Sequence, residues 1–373
     1  MTGPRDLDFA VIGGGVIGAA IAFGLARLGR QVTVFDEGDV VHRPSRGNFS
    51  LVWVQSKGLG MTEYALWSRK AAGGWRRLAE ELRNATGIDV AFTQPGGLHL
   101  VLSETELERR ALTFEKLWAQ AGADLYPYEM LDRPRLQRLL PAIGPDVCGA
   151  SYCPLDGQVN SLRLLRALHT ALARLGVTYL SNHSIAAIKP RAVGFDIITP
   201  NGQWRTHKVV LAAGHGNRRL APMVGLEAPI RPQRGEIMIT EKLRPFLAYP
   251  TINVRQTDEG GVQVGDSVEE VGFDDGVRTD VLSVIASRAV RMFPVLERAN
   301  VVRSWGALRV MPQDGFPIYD ASTVCPGAFL ATAHSGVTMA SNHVFELPPM
   351  LVAGRLADEL SAFGARRFHA IPQ

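Results

Sequence analysis

Short apolar runs separated by glycine-containing turns open the chain and predict alternating strands and helices. Residues 9–12 form an apolar strand, residues 19–28 a helix that is apolar on almost every face, and residues 31–35 a second strand. A helix with this pattern is buried on all sides. Because the connections are short, the two strands are expected to lie parallel in one sheet, with the helix packed against it.

Amphipathic patterns follow in the next part of the chain. Residues 62–84 have helical periodicity, with Leu66, Trp67 and Leu78 on the apolar face, and residues 104–121 predict a second helix. The other predicted elements are a helix at 161–175 with Ser161 as its N-cap, strands at 178–180, 209–213 and 329–332, a hairpin of 195–198 with 204–205 around Asn201-Gly202, a β-rich stretch at 235–268, a helix at 281–292 and a terminal helix at 351–360.

Composition excludes several classes of protein. The net charge is only +4 and no Lys/Arg block occurs, which argues against nucleic-acid binding. The three cysteines include no Cys-x-x-Cys pair, which argues against a metal site or a disulfide framework in this chain. No stretch has the length and apolarity of a transmembrane helix, and the N-terminus lacks the apolar run of a signal peptide. A cytoplasmic location is therefore expected.

Glycines concentrate directly after the first strand. Gly13, Gly15 and Gly18 form the pattern Gly-x-Gly-x-x-Gly between that strand and the next helix. In this arrangement the first glycine permits a tight turn, the second lets a pyrophosphate approach the backbone, and the third lets helix and strand pack closely. Asp36 ends the second strand, where an acid hydrogen-bonds ribose hydroxyls. The sequence therefore predicts a dinucleotide site, and Asp36 argues against NADP without deciding between NAD and FAD.

Six segments, taken in chain order, resemble the D-amino-acid oxidase family of flavoproteins and cover nearly the whole chain. They are residues 11–18, 45–48, 210–214, 305–309, 314–318 and 334–338. The resemblance implies that FAD is the cofactor. It also implies an α/β fold in which a Rossmann-like FAD-binding domain is interleaved with a smaller, antiparallel-sheet substrate domain. The FAD-binding domain is expected at residues 1–60, 150–230 and 300–373, and the substrate domain at residues 61–149 and 231–299.

Three further segments, residues 45–55, 254–260 and 269–276, have a narrower resemblance. They are similar to the flavin subunits of bacterial opine oxidases or dehydrogenases and of D-hydroxyproline dehydrogenases. Ser50 and Ser56 stand where those relatives are expected to have glycine. Their hydroxymethyl groups are expected to narrow the pocket or to add hydrogen bonds.

The motif and the resemblance together imply a set of cofactor-binding residues. These are Gly13, Gly15, Val16, Ile17, Gly18, Asp36, Glu37, Ser45, Arg46, Asn48, Ile185, Ala213, Gly214, Arg309, His334, Ser335, Gly336, Val337 and Thr338. The backbone N–H groups around residues 336–338 are expected to stabilise negative charge at one end of the flavin.

Candidate catalytic residues follow from the same resemblance. Arg309 matches the family's carboxylate-binding position, although an arginine there also fits an ordinary salt bridge. His334 is a candidate hydrogen-bond partner of the flavin or the substrate, or else a structural loop histidine. Trp53, Gln55 and Lys57 alternate along one segment and therefore share one face if it is extended, where they line the active site or simply pack.

The resemblance predicts oxidation of the Cα–N bond of a small amino or imino acid, or of an N-substituted amino acid of the opine, hydroxyproline or proline type. The hydride would pass to FAD. The preferred interpretation is the flavin subunit of a dehydrogenase whose partner subunits carry an iron–sulfur cluster or a second flavin. The alternatives are an oxygen-using oxidase of the glycine or sarcosine oxidase type, and an NAD-binding or non-catalytic binding protein.

Overall fold

The computed structural model describes residues 6–38, 44–122 and 127–369. Its strands are β1 (Asp6–Ile12), β2 (Val32–Phe35), β3 (Leu51–Val52), β4 (Gly97–Val101), β5 (Glu129–Asp132), β6 (Gly149–Cys153), β7 (Gly157–Gln158), β8 (Thr178–Leu180), β9 (Ala187–Pro190), β10 (Phe195–Thr199), β11 (Gly202–Leu211), β12 (Ile230–Lys242), β13 (Val254–Gln256), β14 (Gly261–Gly265), β15 (Val301–Pro312), β16 (Ile318–Ala321) and β17 (Ala328–Thr332). Its α-helices are α1 (Val16–Arg27), α2 (Thr62–Thr86), α3 (Glu104–Ala121), α4 (Arg133–Leu139), α5 (Ser161–Arg174), α6 (Asn217–Leu220), α7 (Thr279–Met292), α8 (Ala340–Phe345) and α9 (Leu347–Ala353).

The largest sheet has the strand order β16-β17-β11-β1-β2-β8, and β10 and β9 extend it from β11. Strand β1 runs parallel to both β2 and β11, as the short strand–helix–strand connections predicted. Helix α1 contacts α5 and α8 on one face of this sheet, and all but three of its residues are buried. This sheet confirms the α/β class.

A second sheet is antiparallel, with the order β13-β14-β12-β15. The β-rich stretch predicted at 235–268 supplies its first three strands. A three-stranded antiparallel sheet, β4-β6-β5, and the helix α7 share one hydrophobic core with it. Strands β3 and β7 form a short antiparallel pair of their own.

Helix α2 shows how the two parts of the fold meet. It lies in the stretch expected to belong to the substrate domain, yet Trp67, Trp75 and Leu78 are buried in the same core as α1 and the large sheet. Leu66, which was predicted to lie on the apolar face, is instead 45% exposed. The buried stripe is centred on Trp67 and Trp75, so Leu66 falls outside it.

Two helix boundaries also differ from prediction. The N-cap of α5 is Asn160, whose side chain accepts a hydrogen bond from Arg163 N, so Ser161 is the first helical residue. The predicted terminal helix at 351–360 is wrong. Helix α9 ends at Ala353 because Gly354 has φ of 81°, and a 3₁₀ helix (Asp358–Phe363) follows.

In the described ranges no helix has the length and apolarity needed to cross a membrane.

Candidate functional site

The turn between β1 and α1 brings backbone groups together as the glycine pattern predicted. Gly13 has φ of 107°, and a Cβ there would lie 2.4 Å from the carbonyl oxygen of Ala212 at the end of β11. A Cβ on Gly18 would lie 1.9 Å from the carbonyl oxygen of Gly13. Gly15 is the N-cap of α1 and, lacking a side chain, leaves the helix N-terminus open. Such a terminus is suited to bind phosphate.

Asp36 stands at the end of β2, beside the glycine turn. One carboxylate oxygen accepts a hydrogen bond from Gly14 N at 2.7 Å, and the other accepts one from Gly38 N at 2.9 Å. The carboxylate is therefore held at the end of the strand, where an adenosine ribose is bound in dinucleotide sites. Ser45 approaches from the other side, and its hydroxyl accepts a hydrogen bond from Val16 N at 3.0 Å.

One elongated cavity runs from Asp36, along the N-terminus of α1, to His334. Fourteen of the predicted cofactor-binding residues line it: Gly13, Gly15, Val16, Ile17, Asp36, Glu37, Ser45, Asn48, Ile185, Ala213, Gly214, His334, Gly336 and Val337. An acid at one end, an open helix terminus in the middle and a glycine-containing loop at the far end fit a long molecule with ribose, pyrophosphate and ring portions. The residues present therefore fit FAD.

Five predicted cofactor residues lie outside the cavity wall. Gly18 packs helix against strand, and Arg46 is exposed on the turn that precedes Asn48. Ser335 and Thr338 make their hydrogen bonds outside the cavity wall, and the Ser335 hydroxyl bonds the Tyr64 hydroxyl at 2.8 Å. The remaining residue is Arg309, whose position is described below.

The segment with Trp53 and Gln55 is not extended, because the chain turns after β3 and Lys57 N donates to Val54 O. Neither side chain lines the cavity, and a role for Trp53 or Gln55 in the active site stays a prediction. Trp53 is buried against Gly97, where a Cβ would lie 2.5 Å from the indole. Gln55 is buried and bonds the carboxylate of Asp156 at 2.7 Å.

Lys57 is a half-buried amine close to the far end of the cavity. Its Nζ donates to the Thr338 hydroxyl at 3.3 Å and lies 5.6 Å from the centre of the Tyr64 ring. Burial lowers the pKa of Lys57 to about 7, against the opposing charge of Asp156. Burial, and then the charges of Lys57 and Arg309, lower the pKa of His334 to about 3. His334 is therefore neutral near pH 7 and can act as a hydrogen-bond partner without adding charge.

Arg309 does not line the cavity, and its guanidinium is held on several sides. Its Nη1 donates to Ser267 O at 3.0 Å and to Arg234 O at 3.2 Å. Its Nη2 donates to the carboxylate of Asp266. The next residue along the strand, Val310, lines the cavity. The salt bridge that the sequence left as an alternative is present, and the charge of Arg309 is near enough to His334 to lower the pKa of that imidazole.

Asp266, Phe273 and His215 are among the residues of this region that sequence reasoning missed. Asp266 directly follows β14, and nothing local distinguishes it from a surface acid. Phe273 and His215 line the cavity and pack edge to face, with ring centres 5.4 Å apart. Their approach depends on how the loop after β14 folds over the end of β11, which the sequence pattern does not encode.

An α/β protein with this glycine turn, acid and cavity belongs to the class of dinucleotide-binding oxidoreductases. Residues 8–342 match the family model described as "FAD dependent oxidoreductase", so the chain belongs to that family and FAD is its cofactor. The chain is 46% identical to the opine oxidase B subunit of Agrobacterium tumefaciens (strain Ach5) and 43% identical to that of Rhizobium meliloti, over 98% of both chains in each case. Glycine oxidase of Geobacillus kaustophilus has a solved structure with a TM-score of 0.86 and 27% identity, over 96% of this chain and 98% of that one.

Proposed function

We propose that the protein oxidises the Cα–N bond of an N-substituted amino acid of the opine type. The observation that carries the proposal is the similarity to two opine oxidase B subunits along 98% of both chains. The glycine oxidase relative is named for an amino acid whose Cα–N bond is the oxidisable one. Proline and hydroxyproline, which carry the same secondary amine, are the neighbouring substrate candidates.

The cavity residues would hold FAD, which when bound supplies a two-electron acceptor for a hydride from the substrate. The open N-terminus of α1 would bind the pyrophosphate and Asp36 the ribose. The N–H groups of residues 336–338 would hydrogen-bond the ring end of the cofactor. His334 would stay neutral there, because its pKa is low and a protonated imidazole would be poorly solvated.

Arg309 would bind the substrate carboxylate. A guanidinium offers five N–H donors, and the three bonds that the structure records for Arg309 leave two for a ligand. The side chain is 22% exposed, so a ligand at the cavity edge can reach it. A charge-assisted pair of this kind orients the substrate so that the same carbon faces the cofactor each time.

Both opine oxidase relatives are named as one subunit of a larger enzyme, which supports a multi-subunit assembly for this chain as well. We propose that partner subunits carry an iron–sulfur cluster or a second flavin and receive the electrons, in the cytoplasm. Three free cysteines suit that reducing compartment. Of the two proposed domains, the FAD-binding one would also include α2, since α2 packs in its core.

The first test is anaerobic bleaching of the bound flavin by a panel of opines, D- and L-prolines, hydroxyprolines, sarcosine and glycine. Opines are expected to bleach it fastest. Slow recovery of colour in air is expected for a chain that passes electrons to a partner, whereas rapid recovery would indicate an oxygen-using oxidase. A yellow protein that no member of the panel bleaches, even when co-expressed with its partner chains, would refute the proposal.

Replacing Arg309 by alanine tests the carboxylate site. Arg309→Ala is expected to weaken substrate binding by about 2–4 kcal/mol, the cost of losing a charge-assisted pair, while FAD stays bound. Arg303→Ala is the matched control, because Arg303 lies on the same strand but is exposed. Unchanged substrate affinity in the Arg309 variant would exclude this role.

A further inference from the structure

Three contacts besides the salt bridge to Asp266 position the guanidinium of Arg309. Two backbone carbonyls accept its Nη1 hydrogens, and the group lies flat over Gly235, where a Cβ would come within 2.3 Å of Nη2. Packing on Gly235 and hydrogen bonds to two carbonyl oxygens fix the position of the guanidinium. The carboxylate of Asp266 on Nη2 is therefore an additional charge at this edge and is not needed to hold the arginine.

The strands that carry Asp266 and Arg309 pack against the residues on either side of Asn48, which lines the cavity. Arg309 shares a strand face with Ala307, and Ala307 packs on Gly47, which precedes the cavity residue Asn48. Gly265, the neighbour of Asp266, would place a Cβ 3.1 Å from the ring of Phe49, on the other side of Asn48. The side chain of Asp266 is 34% exposed, so it is open to a ligand held by Arg309.

We propose that Asp266 determines specificity by binding the amine nitrogen of the substrate whose carboxylate is bound by Arg309. This inference rests on the proposed function, because it assumes an amino-acid substrate at this edge. In an amino acid the ammonium group and the carboxylate are attached to the same carbon. A substrate carboxylate on the remaining N–H groups of Arg309 therefore carries its cation beside the anion of Asp266.

The resulting arrangement alternates in charge: Asp266, Arg309, substrate carboxylate and substrate ammonium. Each charge has opposite charges as neighbours, so all four are compensated. A ligand with a carboxylate but no amine would instead place two carboxylates on one guanidinium. The repulsion between these two carboxylates weakens the binding of carboxylic acids that lack an amine, and so favours amino acids.

Asp266→Asn in the FAD-loaded protein tests this role with two ligands that have no oxidisable Cα–N bond. One is 2-(methylamino)isobutyrate, which has a carboxylate and a secondary amine but no hydrogen on Cα. The other is isobutyrate, which lacks the amine. Dissociation constants are measured from the change in flavin absorbance on binding. The variant is expected to bind the amine ligand about tenfold more weakly and isobutyrate several-fold more tightly.

Opposite shifts for the two ligands support the proposal. If both ligands bind more weakly, Asp266 only supports Arg309, and if neither changes, Asp266 does not reach the ligand; either result overturns it. Asp266→Glu keeps the carboxylate and is expected to keep the preference for the amine, which separates loss of charge from loss of fold. A wild-type protein that binds neither ligand and is bleached by no N-substituted amino acid would refute the proposed function itself.

Discussion

Asp156 is the most deeply buried acid near the site. Its carboxylate accepts hydrogen bonds from Val54 N, Gln55 N and the Gln55 side chain. Burial raises the pKa of Asp156 to about 7, although these bonds and the charge of Lys57 oppose the rise. The turn that carries Lys57 beneath the cavity is therefore held by an acid that is half protonated near neutral pH.

The raised pKa of Asp156 predicts a specific dependence of stability on pH. The unfolded chain loses this proton near pH 3.8 and the folded protein near pH 7, so the free energy of unfolding should fall as pH rises between these values. The slope is at most about 1.4 kcal/mol per pH unit for one proton. Urea denaturation at a series of pH values is expected to show this fall in the wild type and to lack it in Asp156→Asn.

Lys57→Met is the control for that experiment. Burial lowers the pKa of Lys57 in the wild type to about 7, so the free-energy cost of burying its charge is present in full below about pH 7. That cost disappears as pH rises from about 7 to 10.5. Lys57→Met should therefore keep the fall between pH 3.8 and pH 7 that Asp156 causes. An Asp156→Asn protein with an undiminished slope would show that the proton resides elsewhere.

Ser50 and Ser56 show how much a sequence reveals at the scale of single residues. Their departure from glycine was noticed from the sequence, and both have positive φ, 69° and 70°, where glycine is favoured. In the structure, hydrogen bonds of both hydroxyl groups offset the unfavourable backbone conformation. Ser50 bonds the Ser161 hydroxyl at 2.7 Å, and Ser56 accepts a hydrogen bond from Arg110. The expectation of extra hydrogen bonds is confirmed, but the identity of the partners required the fold.

Residues of the glycine motif could be predicted because each acts through its own backbone. Gly13 needs its φ, and Gly18 needs contact with a strand only a few residues away. The contacts of Asp266 and Gln55 could not be predicted, because their surroundings come from segments far along the chain. The side chain of Gln55 hydrogen-bonds Arg110 and Asp156 in a buried polar cluster. These bonds, and not its period-two spacing from Trp53, decide where the side chain lies.

At the scale of elements, the loop after β14 is joined to the antiparallel sheet by Arg234. This arginine is 1% exposed and bonds Glu269 at 2.8 Å, while the buried Glu236 lies 3.5 Å away. Burial raises the pKa of Glu236, so the charged form of this carboxyl is stabilised mainly by the nearby guanidinium of Arg234. The same loop carries Phe273 to the cavity wall. The arginine therefore links the stability of the sheet to the shape of the cavity.

Arg234→Met is expected to destabilise the protein by about 2–3 kcal/mol, because it leaves buried Glu236 without a cation. It should also speed FAD release, since the Phe273 loop loses its attachment. Denaturation midpoints and flavin fluorescence on dilution measure the two effects. Arg231→Met is the control, since its partner Glu270 is exposed and the pair is screened. Equal behaviour of the two variants would contradict this account.

Elements with a strong local signal were predicted well. Helix α3 begins and ends where expected, and the Ser103 side chain caps it by accepting from Glu106 N. The hairpin of β10 and β11 forms around Asn201-Gly202. The terminal helix failed because a single left-handed residue, Gly354, overrides an apolar pattern on both sides of it. Local chemistry thus decides element ends more than hydrophobic periodicity does.

At the scale of the whole molecule, the cavity joins parts of the chain that are far apart in sequence. Its wall includes Ile12 from the first strand, Ile185 from the middle and Val337 near the end. The two large cores on the opposite faces of the main sheet both contribute residues to it. A ligand that fills this cavity contacts β1, β2 and β17 of the main sheet together with the first turn of α1, so cofactor binding and folding should be strongly coupled.

Gly15→Val is expected to abolish FAD binding and, through it, to lower the stability of the whole protein. The backbone of Gly15 has φ of −70°, which valine adopts without strain, so the effect is confined to the side chain. Its Cβ would lie 2.9 Å from the Ser45 hydroxyl, at the wall of the cavity. A ligand present at a thousand times its Kd stabilises the folded state by about 4 kcal/mol, and the variant should lose that contribution.

Gly73→Val is the matched control, because a Cβ on Gly73 in α2 meets nothing within 4 Å. Both variants are purified and compared for flavin colour and for melting temperature with and without added FAD. Gly73→Val should be yellow and should melt as the wild type does. Gly15→Val should be colourless and should melt, at any FAD concentration, like wild-type protein stripped of flavin. A yellow Gly15→Val protein would mean that the phosphates do not bind at the N-terminus of α1.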